Sequence, residues 1–208
     1  HSQQKPLEDT LGYFQKKLAS YRLDDQDIDR LSKRGLDALS QYMSSSEVRL
    51  SRDHVSEQKF SNVAVDETKL SGAIDLLEID RQNKTITVID YKTGKPSRDW
   101  KGKSDGEKIK LHHYRQQLLF YKLLIENSAS YQGYTVTKGS IAYVEADADG
   151  SLHTLHISYD DQELADFRKL VQSVWHAIQG MAFQDHTDMQ MNLRGIQQFE
   201  SYIIDKYS

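Results

Sequence analysis

The sequence predicts an α/β fold with one mixed sheet and helices at both ends, on three observations. Apolar residues first recur at spacings of three and four, then alternate over three successive segments, then return to helical spacing. A second alternating pair and two more helical stretches follow it. No Pro-, Gly- or Ser-rich linker and no internal repeat divides the chain. Its 208 residues therefore read as one domain, with a core over about residues 25–160 and C-terminal helices over about 160–207.

Leu7 to Ser20 follows Pro6 as a short helix. A second helix is expected from Asp25 to Ser45, with Ile28, Leu31, Gly35, Leu39 and Tyr42 on one stripe and Asp24 as its N-cap. His54–Val65, Lys69–Asp80 and Thr85–Tyr91 read as strands, and the compact polar turn Arg81-Gln82-Asn83-Lys84 makes the last two a hairpin. Gly94 to Lys108 is a polar, glycine-containing loop. Helical spacing resumes from Ile109 to Asn127 through Leu111, Tyr114, Leu118, Tyr121 and Ile125. Ser140–Glu145 and Leu152–Tyr159 form a hairpin around Asp149-Gly150. An amphipathic helix from Asp160 to Gly180 and a last one behind the cap Asn192, carrying Ile196, Phe199 and Ile203, complete the order.

Composition excludes several classes of function. The chain has no cysteine, which rules out disulfides, thiolate nucleophiles and a cysteine-held iron–sulfur cluster. No apolar run approaches the roughly 18 residues of a membrane span, and no basic and apolar leader pattern opens the sequence. The expected setting is cytoplasmic. A net charge of −4 argues against nucleic acid until its distribution is read. Between Arg81 and Lys122 eleven Lys and Arg stand against four Asp and Glu, a local balance of +7 that leaves −11 elsewhere. A basic segment on an acidic body can steer a polyanion to one face, although a solvated lysine-rich loop has the same composition.

The chemistry sits on the central hairpin. Side-chain alternation puts Ile86, Val88, Asp90 and Lys92 on one face of their strand, and Asp75 on a face with Ala73, Leu77 and Ile79. If the turn centres on Gln82-Asn83, Asp75 and Asp90 oppose each other, with Cβ atoms about 5 Å apart. Two opposed carboxylates destabilise a hairpin, and a hard divalent cation between them reverses the sign. Lys92, on the same face, reaches a metal-bound water or a phosphate. A structural Asp–Lys ion pair at the strand end is the alternative.

Gly72-Ala73-Ile74-Asp75, then Val88-Ile89-Asp90-Tyr91-Lys92-Thr93-Gly94-Lys95, then Gln117-Leu118-Leu119-Phe120-Tyr121 resembles the RecB-like branch of the PD-(D/E)XK nuclease superfamily. The resemblance is clear over about residues 50–130. It implies a restriction-endonuclease-like αβββαβ core, with a mixed sheet flanked by helices and further helices at each end. It also implies a Mg²⁺- or Mn²⁺-dependent DNA nuclease, an exonuclease of repair and recombination that leaves 5′-phosphate and 3′-hydroxyl ends.

Residue by residue, the resemblance makes Asp75 and Asp90 metal ligands with the Tyr91 carbonyl as a third, and Lys92 the catalytic lysine. It places Gln117 and Tyr121 at the site's border, and matches Glu57 to the acidic residue on the first strand. Lys95, Arg98, Trp100, Lys101 and Lys103 would hold DNA, with Trp100 either stacking on a base or anchoring the loop. A superfamily 1 helicase, fused or associated, is the implied partner, which adds nucleoid association. The branch often carries a histidine in its first helix. Neither N-terminal helix has one here, and His1 is the candidate ahead of them. A silent single-stranded-DNA-binding module and an RNA-processing nuclease are the other readings of the same motifs.

Three further patterns do not hold up as sites. Glu145–Gly150 opens like a calcium loop, but position 12 would be His156 rather than the bidentate Glu required. Gly102-Lys103-Ser104 lacks the upstream glycine of a phosphate loop. His112 and His113 are adjacent on a helix and point apart, while His153 and His156 fall on opposite strand faces.

Overall fold

A computed structural model describes residues 7–45, 53–181 and 189–207; His1 lies outside them. Helix α1 (Leu7–Ala19) and helix α2 (Asp25–Ser44) form an N-terminal hairpin. Asp24 caps α2 as expected, its carboxylate accepting from the Asp27 amide at 2.8 Å. Three strands follow: β1 (His54–Val65), β2 (Thr68–Asp80) and β3 (Thr85–Lys92). Then come α3 (Asp105–Glu126), β4 (Thr135–Tyr143), β5 (Thr154–Ser158), α4 (Asp161–Gln179) and α5 (Leu193–Tyr207). Helix α3 starts four residues earlier than apolar spacing indicates. Ser104 caps it by accepting from the Glu107 amide, and Asp105 and Glu107 favour a first turn that carries no apolar signal.

The sheet runs β1-β2-β3-β4-β5 in space. Strands β3 and β4 are parallel, with α3 as their crossover, and every other neighbouring pair is antiparallel. This is the mixed, helix-flanked sheet of the restriction-endonuclease-like fold. The core forms where Leu111, Leu118, Leu124 and Ile125 of α3 meet Ile86 and Val88 of β3 and Ile141 of β4. At the far side α4 is tied to the β1–β2 turn by a bidentate Arg168–Asp66 pair, and α5 to α3 by His112–Glu200 and Gln116–Glu200 contacts.

The β2–β3 register is the one a turn at Gln82-Asn83 dictates: Asp80 pairs with Thr85, Leu77 with Val88 and Leu76 with Ile89. Continued by one residue, it sets Asp75 opposite Asp90 where the ladder ends. The apolar face expected around Asp75 is only half present. Leu77 and Ile79 are buried, but Ala73 is exposed. Burial along β2 runs through Thr68, Leu70, Ile74 and Leu76 and then changes sides to Leu77 and Ile79, just beyond Asp75.

Strand β1 breaks its regularity at the same level. Ser56 pairs with Leu76 and Gln58 with Ile74, so Glu57 faces Asp75 in register, with φ of 53°. A left-handed backbone at a non-glycine residue costs on the order of 1 kcal/mol.

The α1–α2 hairpin buries no residue fully. Phe14 lies on Gly35, where an added Cβ would come within 2.1 Å of the ring, so the two helices approach closely only because residue 35 has no side chain.

Candidate active site

Four side chains from β3 and α3 close into one polar ring. Asp90 is buried at the end of the apolar run of β3, its side chain 3% exposed. One carboxylate oxygen accepts from the Tyr121 hydroxyl at 2.9 Å, and the other lies 2.7 Å from Lys92 Nζ. That ammonium donates to Gln117 Oε1 at 2.8 Å, and Gln117 Nε2 donates to the Tyr121 oxygen at 2.8 Å. Gln117 and Tyr121 are four residues apart on α3, hence one above the other on the same face. Alternation on β3 supplies Asp90 and Lys92, helical spacing supplies Gln117 and Tyr121, and the core packing of α3 presses the two pairs together.

Asp75 joins from β2 by a different route. Its Oδ2 accepts from the Tyr91 backbone amide at 2.8 Å, fastening β2 to β3 just past the end of the ladder. The opposed acids are thus not bare: an ammonium and a backbone N–H stand against them. The Tyr91 phenol turns toward α2, its ring edge-on to Tyr42 at 5.7 Å, and burial pushes its pKa up. Burial and the adjacent Asp90 charge push the Tyr121 phenol far above its ordinary value, so it remains a hydrogen-bond donor at every working pH.

Asp90 Oδ2 is buried, and no hydrogen bond of good direction is aimed at it despite the nearby ammonium. A shielded carboxylate oxygen with an unfilled lone pair, beside a second acid whose other oxygen is available, is the donor chemistry a hard divalent ion takes. On this observation the residues fit such an ion.

A family model described as the PD-(D/E)XK nuclease superfamily matches residues 3–190. The chain belongs to that superfamily. No curated protein matches it. Among solved structures, one described as "Crystal structure of SSO0001" is similar at 19% identity, covering 83% of this chain and 89% of the other with a TM-score of 0.33. The polar ring lies where β3 and α3 meet, with Asp75 of β2 beside it.

The residues expected to hold nucleic acid separate into two groups. Lys95, Lys101 and Lys103 form no direct ion pair among the described residues. Arg98 does: it donates to Asp147 at 2.7 Å and to Asp149 at 3.0 Å in the β4–β5 connection, and those contacts raise its pKa. Trp100 anchors the loop, its indole N–H donating to the His156 carbonyl at 2.9 Å while the ring packs against the core. Glu107 provides a third fastening, accepting from Ser97 Oγ and the Lys103 amide, both at 2.7 Å. Lys122, counted in the basic segment, is buried and holds Glu126 and the Val136 carbonyl.

Asp147, Asp149 and His153 also gather their ligand atoms within 4.8 Å of one another, a grouping the sequence did not suggest because the calcium-loop pattern fails there. Arg98 already neutralises both carboxylates, so the guanidinium stands where a cation would be drawn.

Two contributors escaped sequence reading. Tyr114 lies under Lys92, its ring centroid 4.7 Å from Nζ, yet its spacing with Leu111 and Leu118 reads as core. Glu145 accepts a bidentate pair of bonds from Arg34 of α2, at 2.9 and 2.6 Å, and another from the Gly94 amide. No local pattern announces that link, since its partners are 111 and 51 residues away. Among the described residues no helix is long and apolar enough to cross a membrane.

Proposed function

We propose that this chain is a Mg²⁺- or Mn²⁺-dependent DNA nuclease of the RecB-like branch. On this reading it is one nuclease domain over residues 1–208, working as an exonuclease beside a superfamily 1 helicase in repair and recombination at the nucleoid. The observation that carries the activity is the closed Asp90–Lys92–Gln117–Tyr121 ring, in a chain of this superfamily, with Asp75 opposite in register. The D-Y-K-T-G-K and Q-L-x-x-Y motifs support the branch and, through it, the helicase partner.

Asp75, Asp90 and the Tyr91 carbonyl would hold the ion, with Glu57 adjoining them from β1. When bound, the ion lowers the pKa of a coordinated water and neutralises charge on the scissile phosphate. The remaining work falls to the protein. Lys92 presents a full positive charge at the phosphate, aimed by Gln117 Oε1 and shielded from bulk water by the Tyr114 ring, where it stabilises developing negative charge. Tyr121 fixes the rotamer of Asp90 by its hydrogen bond. Lys95, Lys101 and Lys103 hold the backbone without reading sequence, while Arg98 and Trp100 set the shape of the loop that carries them.

The test is cleavage of 5′- and 3′-labelled single- and double-stranded DNA with Mg²⁺ or Mn²⁺, with EDTA and Lys92→Ala as controls. Metal-dependent products lost in the variant establish the enzyme, and the label pattern gives polarity. Intact DNA alongside measurable binding refutes the nuclease and leaves a silent binding module.

A further inference from the structure

The ring of polar side chains does not end at Lys92. On α3 the residues Lys110, Tyr114, Gln117 and Tyr121 follow spacings of four, three and four, and so form one stripe along the helix. Its C-terminal half borders Asp90. Its N-terminal half, about 10 Å along the axis from Gln117 to Lys110, leads toward the loop that carries Lys101 and Lys103.

Tyr143 of β4 faces this N-terminal half. It pairs in register with Lys92, and Lys110 Nζ stands 5.7 Å from its ring centroid, as Lys92 stands over Tyr114. Tyr143 is 2% exposed, and its hydroxyl has no hydrogen-bond partner among the described residues. A buried phenol is normally satisfied, because leaving it unpaired costs the full desolvation of the group. Its neighbour Tyr114 has its pKa raised by burial first and then by Tyr143 and Asp90, which places the two phenols close together.

Lys110 and Tyr143 together offer donors, an ammonium and an O–H, and they suit an anionic oxygen. Glu107, an acid whose charge Lys110 feels, has its oxygens engaged by Ser97 and the Lys103 amide. Lys110 forms no direct ion pair among the described residues. We propose that Lys110 and the Tyr143 hydroxyl form a second phosphate seat, which holds the nucleic-acid backbone next to the phosphate at Lys92. The proposal rests on the nuclease reading for its ligand and extends the basic track from the loop into the site.

Fluorescence anisotropy with a labelled single-stranded oligonucleotide, in EDTA and from 50 to 200 mM salt, tests the seat apart from catalysis. Lys110→Gln weakens binding and lowers the slope of log affinity against log salt by about 0.7, the loss of one single-strand phosphate contact. Tyr143→Phe weakens binding roughly tenfold with the slope unchanged. The same variant raises the Tm of the nucleic-acid-free protein by about 3 °C, because an unpaired buried hydroxyl is gone. A purely structural tyrosine gives the opposite pair of results.

An unchanged slope in Lys110→Gln, or unchanged affinity in Tyr143→Phe, overturns the seat even if the parent cleaves DNA. A parent that shows both variant effects but cleaves nothing with Mg²⁺ or Mn²⁺ retains the seat and loses the nuclease reading. A parent that does not bind the oligonucleotide overturns the seat.

Discussion

Replacing Lys92 by Met tests whether the metal-free site depends on its own ammonium. Asp90 has two neighbours of consequence, the Tyr121 hydroxyl and Lys92 Nζ, and its side chain is 3% exposed. Methionine keeps the length and apolar stem of lysine but removes the charge, leaving a buried carboxylate with one hydrogen bond. Breaking a buried pair from one side costs about 3–5 kcal/mol. For a chain of this size that lowers Tm by about 6–20 °C.

The reverse change, Asp90→Asn, costs less. The amide oxygen still accepts from Tyr121, and Lys92, 19% exposed, keeps Gln117 and gains water. Removing both charges in Lys92→Met with Asp90→Leu recovers most of the loss, as replaced buried ion pairs commonly do. Calorimetry in EDTA measures all three. Adding Mn²⁺ should then raise the Tm of Lys92→Met more than that of the parent, because no ammonium competes for Asp90 Oδ2. A single variant that melts with the parent, or a double variant no better than Lys92→Met, refutes the claim that the ammonium neutralises Asp90.

Three further outcomes are expected. Tyr121→Phe loses a hydrogen bond to a charged group, worth about 2 kcal/mol, so its Tm in EDTA should fall by about 4–8 °C; an unchanged Tm removes Tyr121 from the ring. DNA affinity should fall steeply with salt, charge reversal at Lys101 and Lys103 should flatten that dependence, and Arg98→Ala should leave the slope nearly intact because Asp147 and Asp149 already hold its charge. Equal slopes for all variants argue against the track. The hydrogen bond from Arg34 holds the Glu145 pKa below its ordinary 4.5, so this contact stabilises the folded chain at neutral pH and is lost as pH falls through the lowered value. Hydrogen exchange in α1 and α2 should therefore be slower at pH 7 than at pH 3 after correction for intrinsic rates, and Glu145→Gln should abolish the difference.

Local patterns carried most of the architecture. Alternation on β3 placed Asp90 and Lys92 on one face, and the four-residue turn fixed the register that opposes Asp75 and Asp90. Both are short-range regularities with a period of two, so the chain states them directly. What the sequence hid depends on contacts between distant segments. Tyr114 and Tyr143 have the hydropathy of core residues, and only the packing of α3 across β4 sets their rings beneath lysines. Ala73 is exposed, against the alternation, because β2 changes its buried side just beyond Asp75, a change no alternation rule contains. Arg98 and Trp100 sit in a loop whose composition suits nucleic acid, but their partners, in the β4–β5 connection for Arg98 and in β5 itself for Trp100, lie about fifty residues on and commit them to fastening it.

The exit of β3 explains why the motif continues with glycine. Beyond Lys92 the chain must leave the sheet beside the only parallel partner β3 has. The Lys92 carbonyl accepts from the Val144 amide at 3.1 Å, and the Gly94 amide then turns to Glu145. Reaching that carboxylate places residue 94 at φ of 92°, a conformation glycine adopts freely and other residues only under strain. Glu145 in turn holds Arg34, so one acid at the end of β4 binds both the segment after Lys92 and the helix lying over it. The backbone immediately after Lys92 is therefore set by β4 and α2 as well as by its own strand. A change in how α2 sits, transmitted through Arg34 and Glu145 to Gly94, would reach the ammonium two residues away without touching Asp90, Gln117 or Tyr121.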